Sequence, residues 1–236
     1  MNLLLLLPAD FAADGTARLT GRRLRHALEV LRAAEGDVLR VGELGGLVGR
    51  AEVLKIGDGE LVLRPSFDEA PPGRPGVDLL LAIPRPKALR KVLPAAASLG
   101  VDRLVLVNAA RVEKSYFDSS VLHPDCLREL LMLGLEQARD TRLPEVLVRE
   151  RFRPFVEDEL DALWPEAGRL LAHPGADRAP RRQSERTVIA IGPEGGWVPF
   201  EIELLRSRGF VPFTLGPRAL RVEVAVPYAL GAIRAR

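Results

Sequence analysis

Apolar and polar positions follow two different rhythms along this chain. In the first third they change over short distances: Val38 to Val41, Val48 to Ile56 and Leu61 to Leu63 read as strands, separated by turn signals at Gly42 to Gly46 and at Gly57-Asp58-Gly59. Several short strands without a long helix between them predict a small β-barrel or curled sheet. Ahead of them, Leu24, Leu28 and Leu31 recur at helical spacing among basic residues, which predicts a short amphipathic helix over Thr20 to Arg32. The stretch Pro65 to Pro75, with Pro71-Pro72-Gly73-Arg74-Pro75 at its end, reads as a linker.

Beyond the linker the rhythm lengthens. Strands are expected at Leu79 to Ile83, Leu104 to Val107, Leu170 to Ala172, Val188 to Ile191 and Val211 to Leu215. Between them lie helical patterns at Lys87 to Leu99, interrupted by Pro94, then Pro124 to Arg139, Phe155 to Leu163, Pro199 to Arg208 and Val222 to Arg234. Alternation of this kind predicts a mostly parallel sheet covered on both faces. The expected fold class is therefore α/β, with domains at 1–70 and 77–236 joined by a linker at 71–76.

Two glycine-proline turns organise the second domain. Val188-Ile189-Ala190-Ile191 runs into Gly192-Pro193-Glu194-Gly195-Gly196-Trp197, and Phe213-Thr214-Leu215 runs into Gly216-Pro217-Arg218-Ala219-Leu220-Arg221-Val222-Glu223. Each turn is expected at the carboxyl end of a strand, where open α/β sheets bind small ligands. Glycine lets backbone approach a ligand closely, and proline fixes the chain direction while removing an amide donor. Neither turn has the spacing of a phosphate cradle. Ordinary tight turns are the alternative, but two of them flanked by Glu194, Arg218, Arg221 and Glu223 point to function.

Those two segments resemble the signature of the RsmE family of 16S rRNA uridine N3-methyltransferases. The resemblance implies a SPOUT-class domain whose C-terminal chain is threaded into a trefoil knot that binds S-adenosylmethionine, usually within a homodimer. The segment Arg25-His26-Ala27-Leu28-Glu29-Val30-Leu31-Arg32, followed by Gly36-Asp37, resembles the family's N-terminal PUA-like barrel, which binds RNA. Val222 and Val224 stand where the family pattern has threonines, and Asp140 where it has an arginine.

By that resemblance the cofactor contacts fall on Leu171, His173, Ile191, Gly192, Glu194, Gly195, Gly196, Leu215, Gly216 and Leu220. Methylation at N3 requires loss of a weakly acidic proton and stabilisation of the resulting anion. Arg221 and Glu223 are the catalytic candidates, whereas Glu194 reads as a loop organiser. Trp197 reads as a hydrophobic anchor, with base stacking as the alternative. No metal is expected, since three scattered histidines lack ligand spacing.

Composition adds the partner. The 34 Lys and Arg residues, almost all arginine, leave a net charge of only +2, so their distribution carries the information. Five arginines, Arg18, Arg22, Arg23, Arg25 and Arg32, face one acid between Thr16 and Arg32; a second basic stretch holds Arg85, Lys87, Arg90 and Lys91. Arg22, Arg23, Arg25, His26, Arg32 and Arg218 are the RNA candidates, with solvated helix faces or a packing histidine as the alternative. The lone Cys126 is expected as a buried structural thiol. The apolar start from Leu3 to Leu7 is too short for a signal peptide or a membrane span, which suggests a soluble cytoplasmic protein.

The leading expectation is S-adenosylmethionine-dependent methylation of a uridine in 16S rRNA of the small ribosomal subunit, with S-adenosylhomocysteine as product. A methyltransferase acting on tRNA or another rRNA site, and a non-catalytic RNA-binding assembly protein, are the alternatives.

Overall fold

The computed structural model describes residues 3–182 and 184–233, so Met1, Asn2 and the expected helix end at Arg234 lie outside it. The chain divides into two compact units, Met1–Gly73 with Met132–Leu143, and Arg74–Leu131 with Pro144–Arg236. The second segment of the first unit has no signature in local periodicity, because it joins through contacts distant in sequence.

In the first unit the strands are β1 (Leu4–Leu6), β2 (Ala17–Leu19), β3 (Val38–Glu43), β4 (Val48–Gly57) and β5 (Glu60–Glu69). They form one sheet in the order β1-β3-β4-β5-β2. No ladder joins β1 to β2 among the described residues, so the sheet is open rather than a closed barrel. Leu4, Leu6, Leu19, Leu39, Val41, Val53, Leu61 and Leu63 build its core from alternate strand positions, each almost fully buried. The apolar start of the chain is thus a core strand. The helix Gly21–Glu29 is shorter than expected, and Arg32 beyond it has φ +55°.

β5 runs through Pro65 and on to Glu69, through what the sequence presented as linker. β2 covers β5 only at Leu61 to Leu63, so Pro65 pairs with Ala51 on one side and lies beyond β2 on the other. Proline is tolerated at such an edge, where no ladder donor is required of it.

The second unit holds β6 (Val77–Ala82), β7 (Arg103–Val107), β8 (Glu145–Arg149), β9 (Gly168–Ala172), β10 (Thr187–Ile191) and β11 (Val211–Phe213). All neighbours pair in parallel, in the order β11-β9-β10-β6-β7-β8. Helices span Pro86–Ser98, Pro199–Ser207 and Val222–Ala232, 152–163 is helical with a π turn at Phe155–Glu159, and a further helix, Pro124–Ala138, belongs to this unit only up to Leu131. Pro94 does not interrupt the first of these, whose buried face of Leu89, Val92, Leu93, Ala96 and Ala97 continues past it. β6 and β10 are buried along their whole length, as parallel strands covered on both faces must be.

Asp78 pins the amino ends of the central strands. It is fully buried and accepts from the Trp164 indole at 2.6 Å, the Arg103 amide at 2.9 Å and Arg186 Nε at 2.7 Å. A buried carboxylate needs such hydrogen-bond partners to offset the hydration it loses. The parallel ladders of β9 with β10 and with β11 set the carboxyl ends of these three strands side by side. Among the described residues no helix is long and apolar enough to cross a membrane.

Candidate active site

The two glycine-proline turns leave β10 and β11, which flank β9 in the sheet. The chain can bend there because Gly196 has φ +71° and Gly216 φ +102°, conformations that side chains with a Cβ rarely adopt. Gly192 is glycine for another reason: a Cβ would lie 3.1 Å from the Trp197 amide and 3.2 Å from the indole ring. Internal hydrogen bonds stiffen the turns. The Gly196 amide donates to Pro193 O at 2.7 Å, the Gly216 amide to Thr214 Oγ1 at 3.1 Å, and the His173 amide to Phe213 O at 2.9 Å.

Together the turns enclose a cavity of about 250 Å³. His173, Ile191, Gly192, Glu194, Gly195, Gly196, Leu215, Gly216 and Leu220 all line it, and so does Arg218. Leu171 does not. It is fully buried within β9, and the next two residues and Pro174 take its place on the wall. Because side chains of a strand alternate in direction, a one-residue error in placing the strand end exchanges a core position for a site position. Val222 and Ala225, at the start of the last helix, complete the lining.

The charged candidates separate by role. Glu194 Oε1 accepts from the Arg85 amide at 3.0 Å, tying its loop to the start of helix Pro86–Ser98. Arg221 is exposed at the N-cap of helix Val222–Ala232, where its carbonyl receives the amides of Val224 and Ala225 at 2.9 and 2.8 Å. Glu223 pairs with Lys91 at 3.4 Å. Its own backbone N–H, and then the Lys91 ammonium, hold the carboxyl below the ordinary glutamate range against an opposing effect of burial. Neither Arg221 nor Glu223 lines the cavity; they bracket Val222, which does.

Trp197 is 5% exposed and packs on Phe152 with ring centroids 5.6 Å apart, as an anchor should. Its Nε1 is buried and has no hydrogen-bond partner among the described residues. Two supporting residues carried no sequence signal strong enough to name them. Arg111 donates to the Gly195 carbonyl. Glu201, 2% exposed, accepts from the Ala110 amide at 2.7 Å and the Val198 amide at 2.9 Å, joining the loop after β7 to a helix start. Only its position in the first turn after Pro199 hinted at a capping role.

The RNA candidates of the first unit fare differently. Arg22 donates to both oxygens of Glu136, at 2.9 and 3.2 Å, and Arg23 to Asp10 and, at 2.9 Å, to Leu5 O. Arg25 and Arg32 are exposed, while His26 is half-buried and its buried Nε2 lacks a partner among the described residues. Cys126 is half-buried, with Arg90 Nη1 at 3.6 Å from its sulfur, and so is not a core thiol.

Residues 72–234 match the RNA methyltransferase domain family and residues 19–66 the RNA methyltransferase PUA domain. Ribosomal RNA small subunit methyltransferase E of Treponema pallidum is 29% identical, with 100% of this chain and 91% of the relative covered. Its counterpart in Mycobacterium bovis is 30% identical over 88% of this chain and 82% of the relative. Among solved structures, the Neisseria gonorrhoeae enzyme of the same name, bound to S-adenosyl methionine, superposes with a TM-score of 0.78 at 22% identity, covering 98% and 96% of the two chains. A Legionella pneumophila methyltransferase in complex with the same cofactor also gives 0.78 at 22% identity, covering 100% and 98%.

Proposed function

The chain belongs to the ribosomal RNA small subunit methyltransferase E family, and from that premise we propose that it methylates N3 of a uridine in 16S rRNA, using S-adenosylmethionine. The observation that carries the reading is the cavity at the ends of β9, β10 and β11, built from the residues that the two turns supply. Its lining suits an adenosine. Ile191, Leu215, Leu220, Val222 and Ala225 offer apolar walls to a flat ring, and the glycines leave room for close approach. The cofactor, when bound, supplies the methyl group and leaves as S-adenosylhomocysteine.

The chain's own residues hold, align and stabilise. Rigid turns fix the geometry of approach, and alignment of this kind can be worth ~7–11 kcal/mol. Arg221, exposed beside the cavity wall, is placed to stabilise the uridine anion once N3 has lost its proton. Glu223 is a poor proton acceptor, because a carboxyl held below its ordinary range is a weak base. Its part is to orient Lys91 and accept a hydrogen bond, while the N3 proton passes to solvent.

In this reading residues 1–70 contribute a PUA-like RNA-binding domain and residues 77–236 a SPOUT domain with the C-terminal knot, in a cytoplasmic homodimer. Val224 and Tyr228, 48% and 53% exposed and one helical turn apart on the last helix, form an apolar face suited to a second copy. The test is methyl transfer from labelled S-adenosylmethionine to small subunits from cells lacking the protein. Mass spectrometry should find 3-methyluridine; a different methylated nucleoside would overturn the N3 assignment. Donor binding without transfer to rRNA would overturn the reaction.

A further inference from the structure

Beside the cofactor cavity lies a second and larger one of about 830 Å³, and His173 and Trp197 form a wall common to both. A third, of about 460 Å³, continues from it along the outer edge of the sheet, sharing Arg178, Val211 and Pro212. Val211 and Pro212 belong to β11, the edge strand, and give the groove an apolar floor. Arg111, Arg178 and Arg206 border the larger cavity and Arg181 the outer one.

The charge balance of this groove differs from that of its surroundings. Arg169 and Arg208 both pair with Asp161, at 2.6 and 2.8 Å, and Arg186 is held by Asp78. Those guanidiniums are committed to the fold. Within the groove Arg206 is matched by Glu203 at 3.0 Å, which leaves Asp177 as the acid facing Arg111 and Arg178. Arg178 and Arg181 are exposed, and neither side chain has a hydrogen-bond or ion-pair partner among the described residues. Two unpaired guanidiniums on an apolar-floored groove match the alternating phosphates and bases of a single strand.

We propose that this groove is a track for the single-stranded RNA flanking the target nucleotide, with Arg178 and Arg181 on successive phosphates and the wall of His173 and Trp197 at the point where the strand meets the cofactor cavity. The proposal rests on the RNA-methylating reading above and adds to it a binding surface outside the residues named from sequence. Arg178 serves the fold through its carbonyl, which accepts from the Thr214 amide at 2.8 Å and survives the substitution, so removal of the two side chains is expected to act on RNA alone.

The experiment compares the full-length protein with Arg178→Ala/Arg181→Ala and Arg178→Lys/Arg181→Lys, titrating a short oligouridine between about 50 and 200 mM salt. Each lost phosphate contact on a single strand lowers the salt slope by about 0.7, so the alanine pair should lower it by about 1.4. Its KM for RNA should rise roughly tenfold, with S-adenosylhomocysteine affinity and melting temperature unchanged. The lysine pair should recover the slope. An unchanged slope in the alanine pair, or an equal loss in the lysine pair, overturns the track. The titration needs no turnover: a parent protein that binds RNA but transfers no methyl group sinks the proposed reaction and still lets the slope decide this surface.

Discussion

The arginines of helix Gly21–Glu29 and those of the loop after β9 look alike in sequence, yet the fold uses them in opposite ways. In the first region Arg22 and Arg23 meet Glu136 and Asp10 through paired contacts, with side chains only 26% and 15% exposed. In the second, Arg178 and Arg181 stand exposed over a groove. A basic cluster therefore says little about nucleic acid until its counter-charges are located. Asp10 is 13 residues from its partner and Glu136 is 114 away, so only the nearer could have been suspected from the chain.

The strongest test of the contrast is Glu136→Ala. Removing the Glu136 carboxylate takes from Arg22 the two contacts it makes there in a largely buried setting, at a cost of about 1–3 kcal/mol. The first unit should melt several degrees lower, since about 1 kcal/mol moves the midpoint by 2–4 °C in a chain of this size. An unchanged midpoint would return Arg22 to the list of RNA contacts. Arg221→Ala should do the reverse, lowering kcat by roughly a hundredfold while melting and cofactor affinity stay as they are. Full activity would remove it from the chemistry.

Gly216→Val sharpens the comparison from the side of the backbone. At φ +102° a β-branched residue carries strain of about 1–3 kcal/mol. Calorimetric titration with S-adenosylhomocysteine should show affinity reduced about ten- to a hundredfold; wild-type affinity would take the second turn out of the site. The smallest effect concerns Glu223. Its folded pKa is depressed, so the carboxylate persists through neutral pH, and its attraction to Lys91 is lost only as pH falls through that lowered value. On the proposed N3 chemistry, activity should then rise from neutral to alkaline pH, and Glu223→Gln should reduce kcat by less than about tenfold without moving the profile. A profile that loses its acidic limb in this variant would make Glu223 the proton acceptor.

Sequence made the second unit more legible than the first. Parallel strands with buried centres are continuous apolar runs, so β6, β7, β9 and β10 were expected to within about two residues, and the glycine-proline exits of β10 and β11 placed the cavity. β8 escaped notice because Glu145–Arg149 has no fully buried residue to mark it. β1 and β2, three residues each, are too short for alternation to register. The groove of Arg178 and Arg181 was invisible for a different reason: its floor comes from an edge strand and its charges from a loop, brought together only by the sheet order.

The division of the first unit between two stretches of chain also bears on synthesis. Residues 3–73 leave the ribosome without the Glu136 that receives Arg22, the carbonyl of Glu136 that receives the Leu3 amide at 3.0 Å, and the Thr141 hydroxyl that donates to Gly46 O at 2.6 Å. At about 5–20 residues per second, the missing piece follows roughly 4–14 s later. During that interval the nascent sheet is available to chaperones and proteases in an unfinished state, and a fragment ending at Gly73 would remain in that state permanently.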